Sequence, residues 1–161
     1  MPAVRGDLLR LWVDATNAGG SIGFVAPVTN DDVAPLLDAS LARVSDGPDD
    51  LGVLRDCSRH VVAMAFLTAR PGSLSAHWRT VLRVAVHPSL QGQGAGRRLM
   101  TGLHDLARSL GLEHLQLTVR DGNGLEGFYG RLGYRVVGRH PGSVRVAPGD
   151  DRDEIMMVCP L

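Results

Sequence analysis

The chain has 161 residues, 44% of them hydrophobic, and its seventeen arginines face seventeen acidic residues with no lysine, so the formal net charge is zero. That length suits one domain, residues 1–161, with a sizeable core. The even charge argues against a nucleic-acid partner. Arg5, Asp7, Arg10 and Asp14 break up the N-terminal stretch, so nothing there reads as a secretion signal. No run approaches the ~20 apolar residues of a membrane span, and a cytoplasmic protein with no membrane partner is expected. Cys57 and Cys159 lack CxxC spacing, which argues against a disulfide framework or a zinc site, and no metal is expected.

In chain order, Leu8, Leu9, Leu11, Trp12 and Ala15 predict a short helix over 8–15. A loop at 17–21 leads into an apolar stretch, 22–28, expected to cross the core. Thr29 reads as an N-cap, with Asp31 and Asp32 placed for the dipole of a helix over 31–43 that buries Val33, Leu36, Leu37 and Leu41. Residues 46–50 are a loop. Strands over 51–56 and 60–69 are joined by Cys57, Ser58 and Arg59 as a hairpin. After a turn at 71–73, residues 79–86 form a buried strand that Pro88 stops.

Gly92, Gly94 and Gly96 follow, alternating with Gln93 and Ala95. A helix over 97–110 then places Leu99, Leu103, Leu106 and Leu110 on one face with Met100 and Ala107 beside them, and Gly111 ends it. Next come a strand over 115–119, a turn-rich linker over 121–124 and a short helix over 125–132 ended by Gly133. A strand over 134–137, a turn over 139–142, further strand over 144–147, a turn over 148–151 and a last strand over 154–158 complete the chain. The order fits an α/β or α+β domain around a mixed sheet, with no internal repeat.

Strand, glycine loop and helix make a phosphate-binding arrangement, because free N–H groups and the helix dipole both favour an anion there. A P-loop needs a lysine, which the chain lacks, and the third glycine of the dinucleotide fingerprint is missing after Gly92 and Gly94. Gln91-x-x-Gly94-x-Gly96, entered from Val84, Ala85 and Val86, resembles the acetyl-CoA loop of the GNAT superfamily of N-acetyltransferases. Downstream, Phe128, Tyr129, Arg131, Gly133 and Tyr134 resemble that family's second segment, in the same order and at the usual separation.

The resemblance implies a single GNAT-like domain: a mixed, mostly antiparallel sheet flanked by about four helices, with the glycine-rich loop between the central strand and the central helix. It implies acetyl-CoA as co-substrate and an amine acceptor, either a small molecule or a peptide, with a homodimer possible. The cofactor's pantetheine arm would meet the backbone of Val84, Ala85 and Val86, with an N–H near Val86 as oxyanion donor. Its diphosphate would lie on the amides of Gln91, Gly92, Gln93, Gly94, Ala95, Gly96 and Arg97, helped by the charge of Arg97 or Arg98. Tyr129 occupies the tyrosine position that protonates the departing thiolate, with reference pKa values near ~10 for a phenol and ~8.5 for a thiol; the competing reading is a core aromatic. Asn123 resembles the asparagine that binds the pantetheine arm, one residue nearer the tyrosine than in many members, in a context that independently predicts a turn.

The chain departs from the family in two places. Only residues 2–5 are left for a first strand, which is expected to be short or absent. Thr80 stands where histone-type relatives carry a glutamate base, leaving Glu126, Asp121, His77, His87 or a water chain. His87 reads better as a turn residue, Glu126 as a solvated helix face, and His104 as half exposed. Asp49, Asp50, Asp150, Asp151 and Asp153 would suit a polycationic acceptor or serve as ordinary solvated charge. A degenerate acyl-CoA sensor and an unrelated nucleotide-binding protein are the alternatives. With no lysine in the chain, self-acetylation is restricted to the N-terminal amine.

Overall fold

The computed structural model describes residues 2–161, with side chains from residue 4 onward. Two helices come first, α1 (Pro2–Asn17) and α2 (Asn30–Ser45), followed by strands β1 (Asp50–Arg55), β2 (Val61–Thr68) and β3 (Trp78–Val86). Then come α3 (Ala95–Ser109), β4 (His114–Arg120), α4 (Leu125–Gly130), β5 (Arg135–Ala147) and β6 (Asp150–Pro160). The six strands form one sheet in the order β1-β2-β3-β4-β6-β5, antiparallel except for β3 beside β4.

The sheet separates two cores. Strand β2 shows how: Ala63, Ala65 and Leu67 pack with α3 on one face, while Met64 and Phe66 pack with α1 and α2 on the other. Burial on both faces explains why β2 is continuously apolar rather than alternating. Thr29 caps α2 as expected, and the Asp32 carboxylate accepts from its N–H at 2.8 Å and its hydroxyl at 2.7 Å.

Helix α1 is longer than the residues 8–15 expected. Pro2 opens it, a position where the fixed φ of proline suits the first turn and its missing N–H costs nothing. Residues 2–5, the stretch left for a first strand, are therefore helical. The loop between α1 and α2 is folded back onto α1. Trp12 Nε1 donates to the Ile22 carbonyl at 2.9 Å, Phe24 meets the Trp12 ring edge-on at 6.0 Å, and the Asn17 amide exchanges two hydrogen bonds with Val28. Ile22 and Val28 are buried at its ends.

Two other expectations are corrected. The turn over 139–142 does not form: β5 runs through it, with the register slipping between His140 and Val144. Pro141 is tolerated because β5 is the sheet's last strand, where a missing N–H breaks no ladder. On α3 the buried set is Leu99, Met100, Leu103, His104 and Ala107, whereas Leu110 is exposed. His104 is thus buried rather than half exposed, and its Nε2 lies 3.1 Å from the Tyr134 hydroxyl. Burial pushes the imidazole below its ordinary pKa, so it is neutral at physiological pH.

Candidate active site

Strands β3 and β4 pair only where Trp78, Arg79 and Thr80 face His114, Leu115 and Gln116. Beyond that the two strands have no pairing with each other, although β3 stays paired to β2 through Val86 and β4 to β6 through Arg120. The result is a gap in the middle of the sheet, walled by two unpaired backbone edges. Buried backbone polar groups need partners, so such edges are prepared to receive one. His87 N–H donates to the Val62 carbonyl of β2 at 2.8 Å. Because backbone groups alternate sides along a strand, Val86 and Val84 direct their N–H groups away from β2, into the gap.

The glycine loop closes one end of this gap. Gly92 and Gly94 sit at φ +74° and +84°, where a side chain is strained. Gly94 precedes α3, and its carbonyl accepts the first intrahelical bond, from Arg98 N–H at 3.0 Å. The N–H groups of Ala95, Gly96 and Arg97 therefore have no helical partner. Nor does any backbone bond among the described residues occupy those of Gly92 and Gly94. Five donors thus lack a backbone partner at and just before the positive end of a fifteen-residue helix.

The expected set of seven loop amides is narrower in one respect. Gln91 and Gln93 already use their N–H groups on the Pro88 and Leu90 carbonyls, at 3.3 and 3.4 Å. Their side chains also turn back, to the carbonyls of Val86 at 3.2 Å and Ser89 at 2.6 Å. Both glutamines brace the loop against the end of β3. Arg97 and Arg98 are exposed and make no ion pair among the described residues.

Gly96 joins the pieces. A Cβ there would lie 3.3 Å from the Phe128 ring and 3.7 Å from Val86, so α3 starts in contact with both α4 and the end of β3. Tyr129 follows on α4, 5% exposed, its ring edge-on to Phe128 at 5.0 Å and to Tyr134 at 5.5 Å. The strand end and the free amides flank one gap, and α4, which carries Tyr129, meets the start of α3 through Phe128.

The sequence matches the acetyltransferase (GNAT) family over residues 22–134. The chain belongs to that family. The fold agrees. A ribosomal-protein-alanine N-acetyltransferase from Brucella melitensis superposes with a TM-score of 0.80 at 22% identity, covering 100% of this chain and 96% of that one. A Salmonella typhimurium protein solved with its cofactor acetyl-CoA gives 0.79 at 22% identity, covering 100% and 90%. A spermidine N-acetyltransferase from Vibrio cholerae gives 0.73 at 19% identity, covering 97% and 90%.

In this GNAT acetyltransferase, burial pushes the Tyr129 phenol well above its ordinary pKa, so the hydroxyl keeps its proton throughout the working range. Asn123 is exposed, and both ends of its amide are engaged. Its Nδ2 donates to Ser21 Oγ at 3.2 Å and its Oδ1 accepts from Leu125 N–H at 3.2 Å, tying the α1–α2 loop to the start of α4.

The base candidates separate. His77 precedes β3 at the end away from Val86, roughly 27 Å along a nine-residue strand, and is excluded by distance. His87 is the turn residue expected: its Nδ1 lies 2.8 Å from Ser89 Oγ and accepts from Ser89 N–H. Asp121 is paired with Arg139 at 3.0 Å. Glu126 is half-buried one turn before Tyr129 and makes no hydrogen bond among the described residues, so it is less solvated than expected. The residue that sequence reasoning passed over is Arg83. A charge within the apolar run from Val81 to Val86 was the available signal.

Among the described residues, no helix is long and apolar enough to cross a membrane, and no cluster of metal-ligating side chains occurs.

Proposed function

We propose that this acetyltransferase moves an acetyl group from acetyl-CoA to a primary amine by direct attack. The observation that carries the reading is the row of free amides at Gly92, Gly94, Ala95, Gly96 and Arg97 beside an unpaired strand edge. The residues fit the cofactor: a diphosphate satisfies the loop donors, an amide-bearing arm satisfies the edge at Val84 and Val86, with Ala85 between them paired to Met64 of β2, and nothing crowds Gly92 or Gly94. When bound, acetyl-CoA supplies an activated thioester carbonyl.

The chain's own residues do the rest. Gln91 and Gln93 act by bracing the loop, and Asn123 reaches the pantetheine arm if it releases Ser21. The inward N–H of Val84 or Val86 polarises the carbonyl oxygen where negative charge develops. Tyr129 donates a hydrogen bond to the departing sulfur. A phenol held protonated by burial is a poor proton source, so its contribution is a hydrogen bond that stabilises developing thiolate charge, and the released thiolate takes its proton from solvent. No carboxylate stands where histone-type enzymes place theirs, since Thr80 fills that position. The amine then loses its proton to water or to Glu126, and the rate rises with pH as the neutral amine fraction grows.

The test is thiol release from acetyl-CoA across a panel of amines. Amine-dependent release supports the reading, whereas coenzyme binding without release from any amine identifies a non-catalytic acyl-CoA sensor.

A further inference from the structure

We infer that Arg83 recognises an anionic group on the acceptor, and hence that the acceptor is a small amine bearing a carboxylate. The inference rests on the acetyl-transfer reading and narrows its substrate class.

The glycine loop opens into α3, so the coenzyme reaches the gap from the α3 face of the sheet. The other face of the sheet, where α1 and α2 pack, is the one left for the amine. Arg83 reaches that face: its guanidinium lies 5.4 Å from the centre of the Trp12 ring and 5.7 Å from that of Phe66, both in the α1–α2 core. It immediately precedes Val84, whose N–H points into the gap.

Arg83 has φ +55°, in the left-handed region that L-residues rarely adopt, within a break in register opposite the stretch from Met64 to Phe66. The bulge turns this side chain onto the α1–α2 face beside the unpaired edge.

Arg83 is half-buried yet makes no hydrogen bond and no ion pair among the described residues. None of its nitrogens is sealed from solvent, since the buried unpartnered atoms among the described residues are Thr16 Oγ1, Thr68 Oγ1 and Arg79 Nε. Its donors are therefore free and within reach of a ligand. The acids that would suit a polycation are mostly occupied: Asp49 pairs with Arg43, Asp150 with Arg152, Asp151 with Arg145 and Asp153 with Arg139, at 2.5 to 2.8 Å. Burial lowers the Arg83 pKa, against the field of Asp49, as expected of a desolvated cation without a close anion. Two aromatic rings within about 6 Å partly offset that cost and leave the N–H donors for an anionic partner.

The test compares α-amino acids with their α-carboxamides, and with spermidine, by thiol release from acetyl-CoA. Coenzyme binding is followed by calorimetry on the same preparations. The wild type is expected to prefer the carboxylates by about 10- to 100-fold in kcat/KM. Arg83→Gln should bring that ratio close to one while coenzyme affinity stays within about threefold, and Arg83→Lys should restore part of it. A purely structural stacking role would leave the ratio unmoved. Equal or better use of carboxamides or spermidine by the wild type overturns the inference even if the variants fail to fold. So does a preference that survives in Arg83→Gln, or coenzyme binding with no release from any amino acid. Absence of coenzyme binding overturns the underlying reading as well.

Discussion

Gly94→Glu will abolish coenzyme binding while leaving the protein folded. Gly94 sits at φ +84°, and a Cβ built there meets nothing within 4 Å. The new Cβ therefore meets no part of the chain, and its conformational cost is about 1–2 kcal/mol. That is a modest fraction of a typical domain stability. The new carboxylate would stand among the free N–H groups that the diphosphate is proposed to occupy. Like charges about 4 Å apart near a protein surface repel by about 4 kcal/mol, which corresponds to a loss of affinity of two to three orders of magnitude. Gly94→Ala separates the two effects: it carries the same backbone strain without the charge, and its affinity should fall less than about tenfold. Calorimetry on both variants, with thermal melts as the fold control, checks the pair. Glutamate and alanine variants of equal affinity would remove this loop from the binding site.

Tyr129→Phe will lower kcat by about 10²- to 10³-fold with little change in coenzyme affinity. The hydroxyl makes no hydrogen bond among the described residues, so removing it leaves no buried partner unsatisfied. The ring keeps its edge contacts with Phe128 and Tyr134. Stability is thus expected to change by less than about 0.5 kcal/mol, and a fall in turnover would report on chemistry rather than folding. Because burial raises the phenol's pKa, the wild-type profile should rise with pH through the titration of the acceptor amine and show no falling limb from Tyr129 below about pH 10. Equal turnover in Tyr129→Phe would return Tyr129 to the role of a core aromatic.

The parts of the site made of local backbone were legible in the sequence. Gly92, Gly94 and Pro88 impose their turns through their own φ preferences, and Thr29 and Asp32 fix a helix start by contacts three residues apart. The parts that depend on distant partners were not. The gap between β3 and β4 exists because pairing stops after Thr80 and Gln116, a tertiary event without a local signature. His104 is buried because Tyr134, thirty positions on, supplies a hydrogen bond. Pro141 and Gly142 signal a turn, but the long antiparallel partner β6 holds the strand through them, and Gly142 N–H goes to Asp153 instead. Arg83 is invisible for the same reason: its bulge and its place over Trp12 arise only when α1 is packed on the sheet.

The most direct measurement is an amide correlation spectrum titrated with coenzyme A and, separately, with pantetheine, which lacks the diphosphate. Coenzyme A should shift the amides of Gly92, Gly94, Ala95, Gly96 and Arg97 strongly, and pantetheine should leave those five near their free positions. A titration in which coenzyme A leaves those amides unmoved, or in which pantetheine moves them as far, would contradict the account.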